Sequence, residues 1–81
     1  MTLYTYKTSG TCSKKIHFEV EDGIIKSVRF LGGCPGNTQG VAALCVGRNV
    51  AEVISILEGI KCGPRPTSCP DQLAKALKQA L

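Results

Sequence analysis

The chain has few aromatic residues, four in 81, a single histidine and no long apolar run. Each shortage excludes something. No aromatics alternate with the basic residues, so no platform for stacking nucleic-acid bases is expected. No stretch approaches the roughly 20 apolar residues of a membrane helix, and Met1 to Gly10 is too polar for a signal peptide. Neither an anchor nor export is therefore expected, and the cytoplasm is the expected location. There are no repeats and no low-complexity tracts, so residues 1–81 read as a single domain. The glycines at 32, 33, 36 and 40 invite a phosphate-loop reading, but the P-loop lysine and the G-x-G-x-x-G spacing are both missing. They read as turn and helix-entry residues.

With aromatics scarce, the core must be built from Val, Ile, Leu and Ala. A chain this short buries only about 60% of the surface that its unfolded form exposes. A metal staple would help such a thin core to fold. Hydrophobic residues make up 43% and charged residues 20%, the balance of a globular domain. Net charge is +4. Lys7, Lys14, Lys15, Lys26 and Arg29 fall in or beside candidate strands. They would offer a nucleotide or nucleic-acid phosphate a contact stripe. The plainer reading is the solvated face of a half-exposed sheet.

The pattern has period two before residue 34 and a helical period after it. Leu3 to Thr8 alternates. Lys15 to Val20 puts Ile16, Phe18 and Val20 on one face, with His17 and Glu19 on the other. Ile24 to Leu31 is the return strand. A three-residue hairpin loop, Glu21 to Gly23, would set Ile16 opposite Val28, whereas a two-residue loop would set Arg29 there. The longer loop is therefore expected. A first helix should be capped by Asn37 or Thr38, bury Val41, Leu44 and Cys45, and end at Gly47. Asn49 caps a second helix, with Glu52 in capping-box position, Val50, Val53, Ile54 and Leu57 as its stripe and Gly59 as its stop. A third helix starts at Cys69 or Pro70 and buries Leu73, Ala74, Leu77 and Leu81. The expected fold is α+β: a three-stranded antiparallel sheet followed by three helices packed on one face.

Five cysteines in a cytoplasmic chain point to metal or redox chemistry before disulfides. Four share one context. Cys12, Cys34, Cys62 and Cys69 each stand at the edge of an element beside small or turn-forming residues. That lets a sulfur turn toward a shared centre, and four thiolates satisfy tetrahedral zinc. Cys34 and Cys69 also precede or open helices, where unpaired N–H groups favour thiolate. There is no C-x-x-C pair, so spacing alone leaves buried apolar cysteines as the competing reading. Cys45 lies on a helical stripe and reads as core. His17 reads as solvent-facing rather than as a ligand. Asp71 reads as a capping partner of Ser68, ahead of an acid beside Cys69.

Thr67-Ser68-Cys69-Pro70-Asp71 resembles the signature of the TSCPD domain family. Gly10-Thr11-Cys12, the block from Gly32 to Asn37, the block from Gly59 to Gly63, and Asp71-Gln72-Leu73-Ala74 extend the similarity over nearly the whole chain. The family's cysteine pattern falls on Cys12, Cys34, Cys62 and Cys69 and omits Cys45. Related domains end adenosylcobalamin-dependent ribonucleoside-diphosphate reductases. The resemblance therefore implies an accessory of ribonucleotide reduction and deoxyribonucleotide synthesis, with a reductase as protein partner. The chain has no room for the reductase barrel or its cofactor and substrate sites, so it is not expected to be a complete enzyme. A more distant resemblance is to NifU/IscU-type iron–sulfur scaffolds, whose cysteines match Cys12, Cys34 and Cys69. Lys14 stands where those scaffolds have Asp, and Ser68 where they have His. This second likeness implies an iron–sulfur cluster scaffold or carrier as the alternative to zinc. A sulfur-accepting or redox-active thiol protein using Cys69 or Cys34 is the third reading.

Overall fold

The computed structural model describes residues 2–10, 13–32 and 35–80. Strands β1 (Thr2–Lys7), β2 (Ser13–Glu21) and β3 (Ile24–Gly32) form one antiparallel sheet in the order β1-β2-β3. Helices α1 (Pro35–Cys45), α2 (Val50–Leu57) and α3 (Cys69–Leu77) follow, and a 3₁₀ turn covers Lys78–Ala80. The architecture is the α+β arrangement that the change of period predicts.

The hairpin departs from expectation in an instructive way. Glu21 pairs with Ile24, so the loop is the two-residue Asp22-Gly23, with both residues at positive φ (52° and 77°). That is the favoured hairpin turn, which Asp-Gly accommodates. A register shift at Glu19/Val20 then inserts one extra residue, Lys26, into β3. The bulge restores parity: Ile16 faces Phe30, Phe18 faces Val28 and Val20 faces Ile25. Neither Val28 nor Arg29 lies opposite Ile16.

Ile16, Phe18, Val20 and Ile25 are buried beneath Val50, Val53 and Ile54 of α2 and Leu73, Ala76 and Leu77 of α3. Tyr4 stacks on Phe18, their rings 4.9 Å apart and nearly parallel. Helix α1 packs against β3, α2 against α3, and α3 reaches β2. The turn between α1 and α2 is stitched to the start of β3. Gly47 N–H donates to the Ile25 carbonyl, Ile25 N–H to that of Arg48, and Val50 N–H to that of Gly23, all within 2.9 Å.

Helix α1 begins at Pro35, so positions 37 and 38 lie inside it rather than at its cap. Proline suits a first turn because its missing N–H has no partner there in any case. Cys45 is buried as expected and Val41 half-buried, but Leu44 is 68% exposed. Asn49 does cap α2, its side chain accepting from the N–H groups of Ala51 and Glu52. The Glu52 carboxylate turns to Arg48 at 3.5 Å. Gly47 and Gly59 follow α1 and α2 at positive φ (87° and 88°), the conformation that ends a helix most cheaply in glycine. Leu73, Ala74 and Leu77 are fully buried, and Leu81 lies outside the described residues.

Candidate functional site

The segment Thr67 to Gln72 is polar, yet Thr67, Ser68, Asp71 and Gln72 are all buried. Such groups are tolerated away from water only when hydrogen-bonded. Among the described residues no buried side-chain nitrogen or oxygen lacks a partner. Ser68 caps α3, its hydroxyl accepting from Asp71 N–H at 3.1 Å and donating to the Ile60 carbonyl at 2.6 Å. The Asp71 carboxylate does more than cap. One oxygen accepts from Gly59 N–H at 2.7 Å, and the other accepts the Thr67 hydroxyl. The Thr67 oxygen in turn accepts from Gln72 Nε2 at 3.0 Å. Gln72 Oε1 accepts from Ser9 N–H at 3.2 Å, across 63 positions of sequence.

Burial opposes ionisation of Asp71. The hydrogen bonds from Thr67 and Gly59 and the charge of Lys75, 3.6 Å away, outweigh it and hold the carboxyl below its ordinary pKa. Asp71, with its ionised form favoured, thus latches the end of α2 to the start of α3. The expected capping by Ser68 is present, through the Asp71 backbone. The latch itself and the Gln72 tie join residues far apart in sequence. The only sign of them in the sequence is a polar Asp-Gln pair just ahead of an apolar stripe.

This network brings several chain segments to one end of the sheet. Gly10 lies so close to Thr67 that a Cβ added there would stand 2.9 Å from the threonine methyl. Cys62 N–H donates to the Thr67 carbonyl, and Arg65 N–H to that of Cys62. Ser13, beside position 12, and Gly32, two residues before position 34, are sheet partners. The described residues before position 12 touch the segment that leads into Cys69, and Cys62 is tied to that same segment.

Cys12 and Cys34 lie outside the described residues. Cys62 is exposed and Cys69 half-buried. Among the described residues no three His, Cys, Asp or Glu side chains sit together as a metal site. Cys45 is 4% exposed and in the core; burial pushes its thiol pKa up, against a smaller opposing pull from Arg48. His17 is half-buried on the outer face of the sheet, its Nδ1 2.9 Å from the Thr5 hydroxyl and away from this end. Lys7, Lys15 and Arg29 are exposed on that same outer face, in line with a solvated surface. No described helix is long and apolar enough to cross a membrane.

Of the four cysteines singled out from the sequence, Cys62 and Cys69 are the two among the described residues, and backbone hydrogen bonds tie the Cys62 segment to Thr67. Neither the curated proteins nor the solved structures include a significant match to the chain. A family model, the TSCPD domain, matches residues 2–81. With that match over essentially its full length, the chain belongs to the TSCPD domain family.

Proposed function

We propose that this domain is a small cysteine-ligated metal module, with zinc held by Cys12, Cys34, Cys62 and Cys69. We further propose that it serves ribonucleotide reduction as a cytoplasmic accessory to a protein partner. The observation that supports the metal reading is the meeting of the described segments around all four cysteines at one end of the sheet. Zinc bound by four thiolates would cross-link those segments and add folding energy to a thin core. In that role Thr67, Asp71 and Gln72 orient the loops that carry the ligands.

The experiment is elemental analysis of freshly purified protein beside a visible spectrum. One zinc per chain in a colourless sample is expected. Iron with visible absorbance would replace this reading by a cluster scaffold. No metal after reducing, chelator-free preparation would favour a thiol protein. Cys45→Ser should keep its metal, and loss there would overturn the ligand set. Cys62→Ser should bind metal far more weakly, and retention would reduce the site to three cysteines. Calorimetry of the metal-loaded protein with an adenosylcobalamin-dependent ribonucleotide reductase tests the accessory role, and absence of binding removes it.

A further inference from the structure

Strand β1 is an edge strand. Every residue from Thr2 to Lys7 is exposed or half-buried, and Leu3 is 65% exposed. The helices sit over β3 and β2. Natural edges are commonly blunted by proline, bulges or several charges. This one has no proline, pairs with β2 without a register shift, and carries a single charge, Lys7.

The phase of its open hydrogen bonds follows from the register. Thr8 N–H donates to the Lys14 carbonyl, in line with the pairing of Lys7 with Lys15 and Thr2 with Val20. In an antiparallel ladder the residues that bond a given neighbour alternate. Thr2, Tyr4, Tyr6 and Thr8 thus bond to β2. Leu3, Thr5 and Lys7 direct their N–H and C=O groups away from it.

We infer that β1 pairs antiparallel with β1 of a second copy about a two-fold axis at Thr5, forming a six-stranded sheet across the dimer. Directly opposed residues must share a face, so the axis passes through a residue rather than between two. An axis at Thr5 makes Thr5–Thr5 and Leu3–Lys7 the hydrogen-bonded pairs, using all the outward N–H and C=O groups of Leu3, Thr5 and Lys7. On the inner face it sets Tyr4 against Tyr6 of the second copy. Because Tyr6 faces Ile16 and Phe30, and Tyr4 faces Phe18 and Val28, one unbroken apolar row would cross the dimer. Aromatic cross-strand pairs are among the favoured ones.

Charge supports the same occupant. Lys7 stands directly opposite Lys15, a repulsive arrangement. In the dimer Lys7 lies opposite Leu3 of the second copy, and Leu3 lies beside Glu19. Two strand spacings, about 10 Å, separate Lys7 from that carboxylate, a gap that the two extended side chains span. Glu19 accepts from Ser27 at 2.8 Å and makes no ion pair among the described residues. A six-residue edge is smaller than a standard interface of about 1,600 Å², so association should be weak and dependent on concentration.

The test is sedimentation of the purified chain from about 5 μM to about 500 μM, with residue-resolved amide hydrogen exchange at both ends of the range. A monomer–dimer equilibrium is expected. The amides of Leu3, Thr5 and Lys7 should exchange about tenfold more slowly at high concentration, while those of Tyr4 and Tyr6 are protected throughout. Thr5→Pro removes an outward N–H, which an edge strand tolerates, together with the exposed hydroxyl contact to His17. It should weaken the dimer at least about tenfold while Tyr4 and Tyr6 stay protected. Thr5→Lys, which sets like charges at the axis, should do the same without touching the backbone. Lys7→Glu should weaken association, and adding Glu19→Lys should restore it. A monomer at every concentration overturns the inference. So does a dimer that survives both Thr5 variants or leaves Leu3, Thr5 and Lys7 exchanging freely. That result would move the contact to the exposed apolar residues Leu44, Val46 and Ile56.

Discussion

Replacing Asp71 by asparagine changes one atom and should reverse the polarity of a buried relay. The carboxylate is 4% exposed and accepts from Gly59 N–H and from the Thr67 hydroxyl. An amide keeps one acceptor, which can still serve Gly59. Its NH₂ then points at Thr67, whose oxygen already accepts from Gln72. The threonine oxygen can take both donors, but its own proton loses its acceptor. Hydrogen bonds to charged groups contribute about 1.5–3 kcal/mol against about 1 for neutral ones, and a buried orphan donor costs about 1–3. The ion pair with Lys75, 48% exposed on the lysine side, adds little. The expected loss is about 2–4 kcal/mol, or a fall in Tm of about 15 °C for a domain of this size. Urea unfolding followed by far-UV circular dichroism reads it as a shift in midpoint at constant slope. A Thr67→Val background supplies the control. With the hydroxyl gone, the Asp71→Asn penalty should shrink by about 1–2 kcal/mol. A penalty under about 0.5 kcal/mol, or full additivity with Thr67→Val, would refute the relay.

Gly10→Ala should destabilise by about 1–3 kcal/mol, since it combines a strained φ of 74° with a contact at 2.9 Å to Thr67. It should also lower metal affinity if the loops carry the ligands; a neutral effect on thermal unfolding would show that the approach is not tight. Cys45 should resist iodoacetamide at pH 8 until the protein unfolds, because burial keeps it a thiol. Its raised pKa adds stability that is fully present below the unfolded value near 9.0 and is lost as pH climbs through the folded value. Cys45→Ala should accordingly flatten the alkaline fall in stability; an unchanged slope counts against it. Asn49→Ala removes the α2 cap and should cost about 1 kcal/mol in urea titration, with no measurable change disproving the cap's contribution.

Local chemistry made much of this protein legible before any coordinates. Alternation at Ile16, Phe18 and Val20 identified the core face of β2, and all three are buried. Asn49, Gly47, Gly59 and Ser68 act at helix ends as their side chains, or lack of one, predict. Such signals work because they depend on neighbours within a turn or two. The family was likewise written in short blocks.

What only the tertiary structure decided depends on distant partners. The bulge at Lys26 lets a tight Asp-Gly turn coexist with a buried Ile16–Phe30 pair, a balance of turn strain against core burial that neither strand encodes alone. Leu44 falls on a helical stripe, yet no element among the described residues covers it, and periodicity cannot report what a helix packs against. The buried tie from Asp71 to Gly59 and from Gln72 to Ser9 is a long-range solution to polar burial. Sequence determined which residues would cap, turn and fill the core. The fold decided which polar groups could be taken out of water, because each needed a partner that only packing could bring within 3.2 Å.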